Sequence, residues 1–180
     1  MTSHIVRTLS FAALALTAAC ASGGAHPSSA PVQRESLGFD LDGKPWKKVS
    51  QQADRATTLT EFVRPEESLA SWHEMLTMQS FERGSAGPAS AADAQSALRA
   101  RMLERCPGAT WEALRQDSAS VLYEWRIVGC AGQDDQHEVA RIIDSPRTRM
   151  RVAYTYRGGV MPDSVREGWV KRLGEANWEN

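Results

Sequence analysis

Between Ser120 and Arg157 the chain alternates, and that alternation restricts the fold more than any other feature. The stretch SVLYEWRIVGC sets Val121, Tyr123, Trp125 and Ile127 against Glu124 and Arg126. QHEVARIID and RMRVAYTYR keep the same rhythm. In the last of these, Met150, Val152, Tyr154 and Tyr156 fall opposite Arg149, Arg151 and Arg157. A period of two is the signature of a strand with different environments on its two faces. The joins, GCAGQDDQ and DSPRT, are short and rich in turn formers, so the three strands should pair antiparallel as a meander. On this reading the apolar series faces a core and the arginines face outward.

The remaining elements fit around that meander. PWKKVSQQ and ATTLTEFVR read as two strands, the second enriched in β-branched and aromatic residues. RPEES is a turn, and LASWHEMLTMQSF reads as a third strand, with Trp72, Leu76 and Met78 on one side and Met75 and Phe81 on the other. ASAADAQSALRARMLERC is the clearest helix. Ser90 can cap it, Asp93 suits its N-terminal dipole, and Ala94, Leu98, Met102 and Cys106 recur every four residues before Pro107-Gly108 stops it. A last helix is expected from the Ser164-x-x-Glu167 capping pattern, with Val165, Trp169 and Leu173 on one stripe. The order predicts an α+β fold: a single antiparallel sheet of six or seven strands with two main helices packed on it. The layout loosely resembles the sheet-and-helix domains of the PsbP and Mog1 type. SWHEMLTMQ and YEWRIVGCAGQDDQHEVARII also resemble uncharacterised envelope proteins of proteobacteria. Neither resemblance implies an activity.

The N-terminus speaks to location. The apolar run Leu9–Ala19 has eleven residues, roughly 17 Å as a helix, whereas a bilayer core needs about 20 residues. Arg7 precedes it without an acidic residue and small residues follow, as in a secretory signal. Leu16-Thr17-Ala18-Ala19-Cys20 resembles a bacterial lipoprotein signal, in which cleavage before the cysteine leaves it bearing lipid. Leu16 stands one position earlier than that pattern has it. The alternative is cleavage after Ala21, with Cys20 discarded and a soluble periplasmic product. ASGGAHPSSAPVQRES then reads as a flexible tether. The expected organisation is a signal peptide over 1–19, a lipidated Cys20 and tether over 20–36, and one domain over 37–180.

Loss of the signal removes one basic residue and no acidic one, leaving 20 Lys+Arg against 22 Asp+Glu. That balance argues against nucleic-acid binding, which leaves a clearly basic footprint. Beyond Cys20 two cysteines remain, Cys106 and Cys130. An even count in an oxidising compartment points to a disulfide, the alternative being two buried free thiols. Neither has CxxC spacing or a close histidine, so no metal site is expected.

Chemistry-bearing residues are few. His73-Glu74 and His137-Glu138 are adjacent pairs, and neighbours on a strand point to opposite faces. His137 could meet Asp134 or Asp135 across a loop as a base with its orienting carboxylate. No GxSxG, HExxH or phosphate-cradling glycine loop occurs. Arg149, Arg151 and Arg157, with Arg141 and Arg147 nearby, could form a basic binding patch, or could pair with Glu124, Glu138 and their neighbours. Trp125 and Trp169 lie on apolar stripes; Trp46, Trp72, Trp111 and Trp178 have no evident place. The expectation is a non-enzymatic envelope lipoprotein with no cofactor. It would face the periplasm as a binding or accessory module for a protein partner or an amphiphile. The rival is a small hydrolase acting on an envelope polymer.

Overall fold

A computed structural model describes residues 36–38, 41–83 and 87–179. The signal, Cys20 and the tether up to residue 35 lie outside the described residues. Seven strands form one antiparallel sheet. They are β2 (Lys47–Ala53), β3 (Thr57–Val63), β4 (Glu74–Glu82), β5 (Thr110–Gln116), β6 (Ser120–Ile127), β7 (Gln136–Asp144) and β8 (Thr148–Arg157). The spatial order is β2-β3-β4-β8-β7-β6-β5, so the expected meander β6-β7-β8 is present and β4 pairs against its end. Two short strands, β1 (Ser36–Gly38) and β9 (Asn177–Glu179), pair into a second, two-stranded sheet that the sequence reading did not anticipate.

The helices α1 (Ala91–Arg105) and α2 (Asp163–Glu175) cover opposite faces of the large sheet. Side-chain parity makes this plain. Val121, Tyr123, Trp125 and Ile127 of β6 pack with Ala91, Leu98 and Met102 of α1, while Leu122, one step out of phase, packs with Trp169 and Leu173 of α2. The core on the α2 side is aromatic. Tyr154 stacks on Trp169 with ring centroids 4.4 Å apart, and Trp46 meets both rings edge-on. Leu37 and Trp178 of the small sheet join this core. Trp111 stacks on Tyr123 in the other core, so three of the tryptophans that lacked a place in the sequence serve packing.

Three local expectations need correction. The strand read from Leu69 begins at Glu74 instead, because buried Arg64 binds both Asp42 and Glu74 and holds residues 64–73 as a turn; Trp72 therefore lies outside β4. Ser164 does not cap α2. Pro162 occupies the N-cap position without a side-chain bond, and Ser164 falls within the first turn. The third correction concerns the arginines. Arg149 and Arg151 do not extend into solvent, because each side chain lies back along the sheet beside α1 and reaches a carboxylate, leaving Arg149 8% and Arg151 14% exposed. Alternation of apolar and charged residues marked two different faces, and the second is partly covered by α1. By contrast α1 starts as expected: Ser90 accepts from the Asp93 backbone, and the Asp93 side chain returns a bond to the Ser90 backbone.

Candidate functional site

Helix α1 lies over β6 and β7 and leaves β8, β4 and β3 open beside it on the same face. The step between helix and open sheet forms a cavity of about 620 Å³. That falls within the roughly 300–1,000 Å³ of pockets that hold drug-sized molecules. Its floor comes from two neighbouring cross-strand rows, Thr57–Phe81–Arg149 and Gln79–Arg151–Ile142. Its helical wall is Ala94, Ala97, Leu98 and Arg101, and the connection ahead of α1 adds Pro88 and Ala89. Ala94 and Ala97 are too small to fill the space beside the strands, which leaves it open.

Two of the arginines singled out in the sequence therefore line one groove, and both are held rigidly. Arg149 forms a two-toothed bridge to Asp144, at 2.6 and 3.0 Å, and donates a third bond to the Pro88 carbonyl at 2.9 Å. Arg151 donates through Nε to the Tyr123 hydroxyl at 3.0 Å and through Nη2 to Glu138 Oε1 at 2.6 Å. Glu138 also accepts from Trp125 Nε1 at 2.6 Å and from Thr155 Oγ1 at 3.0 Å, so both its oxygens are occupied. Ala140 and Ala153, directly opposed and fully buried, lie between Arg151 and Glu138 and leave the trough along which the arginine reaches. Burial works against the Arg151 charge, but Glu138 and Tyr123 hold its pKa above the ordinary guanidinium value. Burial, with Glu138 nearby, pushes the Tyr123 phenol up to about 12. Nη1 of Arg151 has no protein acceptor among the described residues, and it belongs to a side chain that lines the groove.

Arg157 and the histidine cluster lie elsewhere. Arg157 is paired with Asp134 and sits over the Trp72 ring, 5.2 Å from its centroid. Asp135 accepts from the Gly129 backbone at 2.7 Å. His137 faces α2, the side away from the groove. Its Nδ1 accepts from the Met161 backbone at 3.2 Å, and its Nε2 lies 3.5 Å from Glu124 Oε2. Arg166 clamps Glu124 through two bonds, at 2.7 and 2.8 Å. The structure thus brings His137 to Glu124 and Met161 rather than to Asp134 or Asp135. Nδ1 is committed to the backbone, and Nε2 faces Glu124 in a buried position rather than the loop that carries Asp134 and Asp135. Arg141 is also buried on this side, where Nη1 donates to the Leu173, Gly174 and Ala176 carbonyls at the C-terminus of α2.

Burial holds the His137 pKa below the ordinary histidine value, despite the neighbouring Glu124. The unfolded chain therefore binds this proton at a higher pH than the native protein does. Above the unfolded value, near 6.5, the ring is neutral in both states; as pH falls below it, only the unfolded state gains the proton and stability drops. Urea unfolding followed from pH 7.5 to 5 should show this decline, and His137→Gln should flatten it.

Gln79 and Phe81 were missed as groove residues because only the pairing of β4 with β8 brings them beside Arg151 and Arg149, and Leu98 and Arg101 because only the packing of α1 on the sheet brings them there. Cys106 and Cys130 are joined by a disulfide, Cα atoms 5.6 Å apart. Among the described residues there is no cluster of three or more His, Cys, Asp or Glu able to hold a metal, and no helix long and apolar enough to cross a membrane. No protein-family model and no curated protein sequence matches the chain. Among solved structures, a point mutant of the protein Mog1 is similar in layout at 13% identity and a TM-score of 0.38, over 72% of this chain and 85% of that one.

Proposed function

We propose that this chain is a non-enzymatic envelope lipoprotein, anchored through lipid on Cys20 and facing the periplasm. In this reading it is a binding module that takes its ligand or partner into the groove between α1 and the open strands. The observation that carries the reading is the groove itself. A preformed concave surface mixes apolar walls of Leu98, Phe81 and Ile142 with rigidly held guanidiniums, which is how binding sites are built. The disulfide suits an oxidising compartment, and the short apolar run ending at Cys20 suits a lipoprotein signal. The burial of His137, with Nδ1 bonded to the Met161 backbone and Nε2 turned to Glu124, weighs against the hydrolase alternative.

In-cell photocrosslinking tests the reading. The chain is produced on its own signal with a photoreactive residue at Leu98, on the groove wall, or at Lys171, an exposed position on α2. Adducts at position 98 and none at 171 are the expected result. Equal, sparse labelling at both positions would remove the groove as the working surface. Metabolic labelling with a fatty acid, lost on Cys20→Ala, is the expected sign of the anchor.

A further inference from the structure

We infer that the groove binds an anionic amphiphile, a molecule with one carboxylate or phosphate on an apolar body, and that Arg151 Nη1 receives the anionic group. This rests on the groove being the working surface. Arg83, Arg101, Arg149 and Arg151 line the cavity with one acid, Glu82, and Asp144 and Glu138 pair with Arg149 and Arg151 from beside it. The arginines are not equivalent. Arg149 commits all three of its nitrogens to Asp144 and the Pro88 carbonyl, one bond from each, so its charge is already matched by a carboxylate and no nitrogen is left wholly open. Arg151 is fixed through Nε and Nη2 while Nη1 keeps its two N–H donors. A guanidinium already immobilised by its own network gives up little rotamer freedom when it binds an anion, which favours affinity.

Around that donor the chemistry is divided. Gln79, opposite Arg151 on β4, supplies an amide that can bond a second anionic oxygen, and Arg101 adds positive charge from the helix. Ala94, Ala97 and Leu98 of α1, with Phe81 on the floor, give an apolar surface for a hydrocarbon body. A neutral apolar ligand would leave the Nη1 donors desolvated and unpaired, which works against binding. A small inorganic anion would leave the apolar wall uncovered. A ligand with both parts satisfies both.

The test uses residues 34–180, which hold every described element, both cores and the disulfide. Two probes are titrated by fluorescence: a long-chain fatty acid with an environment-sensitive fluorophore at its methyl end, and the corresponding fatty alcohol. The acid should bind saturably and the alcohol about tenfold more weakly or worse, the scale of a hydrogen bond to a charged group. Ala97→Trp, on the groove wall, should abolish acid binding while the far-UV spectrum is unchanged. Arg151→Gln should bring acid and alcohol to equal affinity. Because that variant also disturbs the Glu138 network, Gln79→Glu provides a second route, adding a negative charge to the groove at the residue opposite Arg151, and should selectively weaken the acid. Equal binding of acid and alcohol by the unaltered protein, or acid binding that survives Ala97→Trp, overturns the inference. Crosslinks at Leu98 together with failure of both probes would overturn the ligand class while keeping the groove as the working surface. Absence of groove crosslinks would remove the underlying reading instead.

Discussion

Glu138→Ala should destabilise the domain by about 3–5 kcal/mol, the usual consequence of breaking a buried ion pair from one side. The Arg151 guanidinium would keep its burial, with a side chain only 14% exposed, and would lose its one carboxylate. Trp125 Nε1 and Thr155 Oγ1 would lose their acceptor in the same step. Each is a buried donor, and an unsatisfied one costs about 1–3 kcal/mol. The pair itself contributes far less than its loss suggests, because both groups gave up hydration on folding. Glu138→Leu combined with Arg151→Met should therefore recover most of the loss. Urea unfolding of the two variants and the parent, compared at constant m-value, measures the difference. If the double variant is as unstable as Glu138→Ala alone, the destabilisation is a matter of lost hydrogen bonds around Trp125 and Thr155 rather than an orphaned charge. The double variant also tests the groove by another route, since it removes Nη1 while a full core remains.

The same network shows where the sequence stopped being legible. The period of two over β6, β7 and β8 was readable, because side-chain direction along a strand depends on local geometry alone. So were the fold class, α1 with its Ser90 cap, and the Val165–Trp169–Leu173 stripe of α2. The polarity of a face was not readable. Arg149, Arg151 and Arg157 on one face of β8 suggest water, and that inference fails for Arg149 and Arg151, where α1 packs over the neighbouring strands and a carboxylate meets each guanidinium. Asp144 is the direct cross-strand neighbour of Arg149, so register alone would have revealed it. Glu138 is not opposite Arg151; the two are joined along the Ala140–Ala153 trough, which no pattern in the sequence marks. The groove is less legible still. Its floor needs the β4–β8 pairing, between segments separated by the whole of α1, β5, β6 and β7. His137 illustrates the opposite error: Asp134 and Asp135 are near in sequence, but Glu124 reaches it because β6 and β7 are paired and both residues point toward α2.

Removing the disulfide, by reduction or by Cys106→Ala with Cys130→Ala, should lower stability by about 3 kcal/mol on the chain-entropy account of a bridge closing a loop of this length. The sequence separation is 24 residues. For a domain of this size that corresponds to a fall in Tm of roughly 6–12 °C. The loss should also be uneven across the molecule, for a reason visible in how α1 is held. At its N-terminal end the Ala91 backbone donates to Asp144 Oδ2 at 2.9 Å, and Arg149 binds the Pro88 carbonyl just ahead of the helix. Ala91 and Gln95 are buried there, whereas Leu98 and Met102 further along are only partly covered. The C-terminal end relies on Cys106, which is 3% exposed and bonded to Cys130 in the loop after β6. Without the bridge, hydrogen exchange should quicken in residues 98–105 while β7 and β8 keep their protection, since local opening follows sparse burial. Leu98 and Arg101 form the helical wall of the groove, so the reduced protein should also bind the fatty-acid probe more weakly than the oxidised one. Uniform loss of protection across sheet and helix would mean that the bridge acts on the domain as a whole and that α1 needs no second pin. Loss confined to the end of α1, with weaker probe binding, would make Cys106–Cys130 the element that holds the groove in shape.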